Sequence, residues 1–183
     1  MKKIIKTSLL IFPLIAFTIM SGCDAFENFV FGLPISVKIS TTGNDNTPSG
    51  FQTFCLEQDP TYRNYSDKLN SIVFVEAHVV VESISADDIN AVGNGTLRLF
   101  EGTGPTGTPL FVNTVNNIRP SDYTKPNSYL LELSAAQIAA LNSSLKNNSC
   151  FYADYVFTVT SGGSAPYVIE FRIDALYNVD AKL

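Results

Sequence analysis

The sequence predicts an all-β fold, specifically an antiparallel β-sandwich of Ig-like architecture with one short inserted helix. Three observations carry this. Apolar and polar residues alternate with period two through most of the chain after residue 35, turn residues interrupt these runs at short intervals, and only one segment combines helical spacing with a helix start signal. A βαβ fold would need a helix between most strands. The chain has no Trp, so the Cys…Trp…Cys hallmark of true immunoglobulin domains is missing and the likeness is one of architecture.

The elements follow in order. Ile35, Val37 and Ile39 alternate with Ser36, Lys38 and Ser40, as in a strand with one buried face. Residues 41–50 carry turn chemistry throughout, and 51–56 read as a short strand holding Cys55. Residues 57–70 read as a polar loop. If all of 41–70 were structureless the loop would be unusually long, which points to an unseen strand or a functional surface. In 72–84, the longest β-rich run, Val73, Val75, Ala77, Val79 and Val81 are expected on one core face. Shorter strands are expected at 95–101, 109–113 and 128–133. Ser134-Ala135-Ala136-Gln137 has the form of a capping box, and Ile138, Leu141 and Leu145 share one face of the helix it starts. Phe151 to Val159 and Tyr167 to Ala175 then alternate on either side of Ser161-Gly162-Gly163-Ser164, which reads as a long hairpin.

Ahead of all this stand Lys2, Lys3 and Lys6, an apolar run from Thr7 to Met20, and the small residues Ser21 and Gly22. The run has the length of a signal-peptide core and is short of the roughly 20 residues of a spanning helix. Cys23 follows directly, and Met20-Ser21-Gly22-Cys23 resembles the lipobox of bacterial lipoproteins, with Met20 in place of the usual leucine. The resemblance covers only residues 1–23 and concerns address, not activity. It implies a signal peptide over 1–22 and lipid attachment at Cys23 through a diacylglycerol thioether, with a further acyl chain such as palmitate on its amine. Several chains give stable anchoring where one gives marginal binding. It also implies a bacterial cell-envelope location with the domain outside the cytoplasm. Asp24 is similar to the inner-membrane retention signal of enteric bacteria, though the sequence leaves both membranes open. Residues 23–34 are expected to be a lipidated tether, within which Phe26, Phe29 and Val30 have the spacing of one helical turn, and 35–183 a single domain.

Removing residues 1–22 takes the formal charge from −5 to −8. An acidic domain of about 160 residues does not fit nucleic acid, whose phosphates select basic faces. With Cys23 assigned to lipid, Cys55 and Cys150 form an even pair in an oxidising compartment and can bridge; the alternative is two buried free thiols.

Motifs that carry chemistry are few. Gly102-Thr103-Gly104-Pro105-Thr106-Gly107 spells G-x-G-x-x-G, but Pro105, Pro109 and a β-like Leu-Phe-Val follow where a helix would have to open, so it reads as a hairpin turn. His78 is the lone histidine and is expected on a strand face with Glu76 and Glu82, where only Glu76 and His78 are near enough to share an ion. Asn44-Asp45-Asn46 and Asp87-Asp88-Ile89-Asn90 offer oxygen ligands without completing a calcium loop. No acid pair, including Glu27 and Glu57, is marked as glycosidase machinery by its spacing. No catalytic residue, metal site or cofactor is therefore assigned. Tyr62, Arg63 and Tyr65 lie among polar residues and are of the types enriched at binding hot spots, so they are the candidate binding loop, unless the rings fold back on the sandwich edge. The reading is a membrane-anchored, non-enzymatic interaction or structural module whose partner is another envelope protein or a surface ligand. The alternatives are a small-ligand carrier with a cavity between its sheets and, behind it, a metal-dependent enzyme.

Overall fold

The computed structural model describes residues 28–147 and 150–182. Eight strands, β1 (Asn28–Gly43), β2 (Ser49–Cys55), β3 (Leu69–Ile84), β4 (Val92–Glu101), β5 (Phe111–Ile118), β6 (Tyr129–Leu130), β7 (Cys150–Ser161) and β8 (Tyr167–Lys182), are joined by α1 (Pro60–Tyr65), α2 (Ala135–Leu145) and short 3-10 turns. The order of strands is β5-β4-β7-β2-β1-β8-β3-β6, with antiparallel pairing throughout. β1 pairs with β8 from Asn28 to Gly43 but meets β2 only at Thr42 and Ser49, so the ladder folds over at that corner. The result is a β-sandwich: β5-β4-β7-β2 faces β1-β8-β3-β6. A side chain at Gly50 would meet the Ser40 carbonyl oxygen at 2.0 Å, so only glycine lets β2 cross β1 there.

The core lies between the sheets, where Phe151 and Phe157 of β7 face Ile169 and Phe171 of β8, and the Tyr155 and Phe171 ring centroids are 4.4 Å apart. This corrects the expected hairpin. β7 and β8 belong to opposite sheets, because each has one strongly apolar face and these bury one another across the sandwich, not side by side. The turn between them is a crossover. It passes Gly162 (φ 67°), where a side chain would meet the Asn90 carbonyl oxygen at 2.2 Å.

The expected core face of β3 is corrected too. Irregularities at Asn70, Val75 and Glu82 shift its register on β8, so Ile72 and Phe74 point inward before the second shift and Ala77 and Val81 after it. Val73 and Val75 are left on the outside. β1 starts at Asn28, seven residues before the expected boundary, so 28–34 is domain and not tether, and Phe29 and Val30 sit in a strand, not a helical turn; Phe26 lies outside the described residues.

The capping box forms as read: Ser134 Oγ accepts from Gln137 N at 3.3 Å, and Gln137 Oε1 accepts from Ser134 N at 2.8 Å. Leu141 and Leu145 are buried, and Ile138 packs beside them. The helix also closes the open side of the sandwich. Asn142 Oδ1 accepts from Phe74 N of β3 at 2.8 Å, Gln137 Nε2 donates to Val112 O of β5 at 3.0 Å, and Leu131 N donates to Ala77 O at 2.9 Å. These bonds tie α2 to β3 and β5 and the segment before it to β3.

Asp88 is fully buried, its Oδ2 accepting from Ser85 Oγ and from Val168 N at the start of β8, while its Oδ1 has no partner among the described residues. Asp88→Ala leaves the part-buried Val168 amide and the Ser85 hydroxyl without their acceptor and is expected to cost about 2 kcal/mol. Asp88→Asn keeps the acceptor and should cost about 1 kcal/mol. Denaturant titration of both variants checks the order; equal losses would show that the Val168 bond contributes nothing.

Candidate functional site

Alternation along β2, β4, β5 and β7 turns one residue in two away from the core, and the register fixes which of these meet. Across the outer face of β5-β4-β7-β2, Val112, Arg98, Asp154 and Phe51 stand in one row, and Phe100, Tyr152 and Thr53 in the next. Arg98 Nε and Nη2 donate to the two Asp154 oxygens at 2.8 and 2.7 Å, a bidentate pair with Asp154 mostly buried. The Phe51 ring stacks on Tyr152 with centroids 5.4 Å apart and planes 23° apart, and Phe51 is 65% exposed. The Arg98 guanidinium lies 5.7 Å from the Phe100 centroid. Burial, and then the Asp154 carboxylate, pushes the Tyr152 phenol up, so it stays a neutral hydroxyl. Beside this platform, where β1 turns the corner, Ser40, Thr42 and Ser49 complete an open concavity of about 390 Å³.

A second polar constellation lies on the outer face of the other sheet. Glu82 accepts from Lys38 at 2.8 Å, pairs with Arg172 and lies 3.5 Å from Lys125; Arg172 also holds Asp174, which accepts from Ser36 Oγ at 2.6 Å. The Lys38 hydrogen bond, followed by the charges of Arg172, Lys38 and Lys125, holds the Glu82 carboxyl below its ordinary range against burial. Every charge here has an opposite partner within the same cluster, which knits β1, β8 and β3 together.

Of the sequence candidates, Cys23 lies outside the described residues. Cys55 and Cys150, opposite one another on β2 and β7, are bridged, with S–S 2.04 Å. The segment of Tyr62, Arg63 and Tyr65 is corrected from a loop to α1, whose start is fixed by Asp59 Oδ1 accepting from Thr61 N and Tyr62 N, with Pro60 in the first turn. Tyr62 is 8% exposed and belongs to the core; Tyr65 packs on Phe29 and Phe31, 5.1 Å from each; only Arg63 points outward freely. The three do not share one exposed face. Their helix turns the two rings onto β1 and the core, which covers the end of the sandwich.

His78 Nδ1 lies 3.0 Å from Ser128 Oγ, and His78 Nε2 lies 3.9 Å from Glu76 Oε2. The second distance is too long for the hydrogen bond that fixes a catalytic imidazole's tautomer, and all three groups sit on an open surface. Asp45 turns back on Thr47, accepting from its N and Oγ1, and Asp88 is committed to Ser85 and Val168. Among the described residues no three His, Cys, Asp or Glu side chains come together as a metal site. Gly102 to Leu110 connects β4 to β5 as a hairpin, as its prolines require.

The sequence reading missed Phe51, Arg98, Tyr152 and Asp154. The signal it could have used is their place at outward positions of strands, where large rings and an arginine–aspartate pair are out of keeping with a purely solvated face.

No family model matches the chain, and no curated protein matches it. Solved structures similar to it include Turnip yellow mosaic virus, with TM-score 0.44 and 6% identity over 85% of this chain and 82% of that one. Desmodium yellow mottle tymovirus matches with TM-score 0.43 and 6% identity over 85% and 89%. Mud crab tombus-like virus matches with TM-score 0.40 and 10% identity over 93% and 98%. Scores and identities this low carry nothing about chemistry or partners.

Proposed function

We propose that this chain is a lipid-anchored lipoprotein of a bacterial envelope whose β-sandwich is a non-enzymatic interaction module, making contact through the outer face of β5-β4-β7-β2. The observation that supports the contact face is the exposed Phe51 ring, stacked on Tyr152 beside the Arg98–Asp154 pair and opening into a concavity of about 390 Å³. Aromatic and arginine side chains are the types that carry binding energy at contact surfaces.

The anchor is supported by the basic start, the apolar run and Ser21-Gly22-Cys23, with β1 beginning at Asn28, five positions after the cysteine. That interval spans at most about 18 Å, so the anchored domain stands close to its membrane. Among the described residues no helix is long and apolar enough to cross a membrane. The carrier alternative needs an inter-sheet cavity of about 300–1,000 Å³. The apolar cavities within the sandwich measure about 40 and 30 Å³, which argues against it.

Cys23→Ser is expected to abolish incorporation of a clickable fatty acid and to leave an unprocessed, mislocalised precursor. Equal labelling of both proteins would reject the anchor.

A further inference from the structure

We infer that the concavity beside Phe51 takes a neutral saccharide, a pyranose ring lying on the Phe51 face with its hydroxyls turned toward Arg98, Asp154 and the Ser40–Thr42–Ser49 rim. This rests on the reading of the face as a contact surface and names its ligand class.

Three features of the site select that chemistry. The first is charge. Arg98 and Asp154 are each other's partners, so the site carries a cation and an anion that cancel, and it is matched to neither a phosphate nor a cation. The second is the hydrogen-bonding inventory. With Nε and Nη2 engaged, the Arg98 Nη1 makes no hydrogen bond among the described residues, and the carboxylate retains acceptor lone pairs. A donor fork next to an acceptor, ringed by hydroxyls that both donate and accept, fits the adjacent hydroxyls of a sugar, which do the same. The third is the floor. Phe51 is the most exposed aromatic ring among the described residues, and Tyr152 stacks against one side of it. The C–H face of a pyranose needs such an apolar plane, whereas its rim needs polar groups. A peptide partner would call for unpaired backbone groups or apolar pockets at regular intervals. The concavity offers hydroxyls and a closed ion pair.

The chain has no Trp, so Phe51→Trp installs a single fluorescent reporter on the proposed floor while keeping a flat ring. The purified full-length Phe51→Trp protein in detergent is titrated with neutral hexasaccharides of glucose and of N-acetylglucosamine, with inorganic phosphate, and with a random peptide mixture. A saturable emission change with a neutral saccharide and none with phosphate is expected. By saturation-transfer NMR, the same saccharide should bind the native chain and lose at least tenfold in affinity with Phe51→Ala, whose melting should match the native protein's. Absence of saturable binding of either saccharide at millimolar concentration, or binding that Phe51→Ala leaves intact, overturns the inference. A photo-reactive residue at position 51 in living cells separates its failure from that of the contact face. Crosslinking to one protein without sugar binding would overturn the ligand class and leave the face standing, whereas silence in both assays would remove both.

Discussion

Replacing both Cys55 and Cys150 with alanine is expected to cost the folded domain about 4–5 kcal/mol, because the bridge closes a loop of 95 residues in the unfolded chain. The size of the effect follows from where the bridge sits. It joins β2 to β7 at the end of their ladder, so its loop takes in α1, β3, β4, β5, β6 and α2, more than half of the described residues. Without it the unfolded chain regains the freedom of that whole loop, while the folded state loses the covalent tie that holds β2, the corner strand, to the centre of its sheet. For a domain of this size the loss amounts to a fall in melting temperature on the order of 10 °C. The check is a pair of melts. The native protein should fall toward the double variant when reductant is added, and the double variant should not respond. If the native protein melted at one temperature with and without reductant, the bridge would contribute nothing in solution.

Where one strand or one turn decides its own structure, the sequence was readable. The capping box at Ser134 and Gln137 formed because both partners lie within four residues, and the β4–β5 hairpin followed from prolines that exclude a helix at that point. Readings that needed a second strand fared worse. Alternation in β7 and β8 showed correctly that each has one buried face, but whether two such faces lie side by side or pack across a sandwich depends on β1, β2, β3 and β4, which take up the flanking positions. Period-two reading of β3 broke where the strand carries extra residues, since each shift swaps the faces. α1 was within reach, because Asp59-Pro60 is a helix start, yet six residues of polar composition carry no periodicity. The candidate site was the least legible part. Phe51, Arg98 and Tyr152 come from three strands, and the register that aligns them is a property of the sheet.

Tyr62→Ala is expected to cost about 3 kcal/mol, the lower part of the range for removing a buried aromatic ring. The ring is 8% exposed and borders a surface concavity of about 230 Å³ shared with Ile72 and Leu145, so water can fill part of the space it leaves. Burial, and then the Glu57 charge, raises the Tyr62 phenol above its ordinary value, in keeping with a side chain turned away from solvent. Its neighbours in α1 set a graded comparison. Tyr65→Ala gives up two ring contacts, to Phe29 and Phe31, and should cost about 1–2 kcal/mol. Arg63→Ala, on the outward side, should stay within about 0.5 kcal/mol. Thermal melts of the three variants, with Tyr62→Phe as a control that keeps the ring, give the test. An order of loss running from Tyr62 through Tyr65 to Arg63 marks α1 as the cover over the end of the sandwich. Three variants that melt like the native protein but lose a binding partner would instead restore this segment as the contact surface and displace Phe51 from that role.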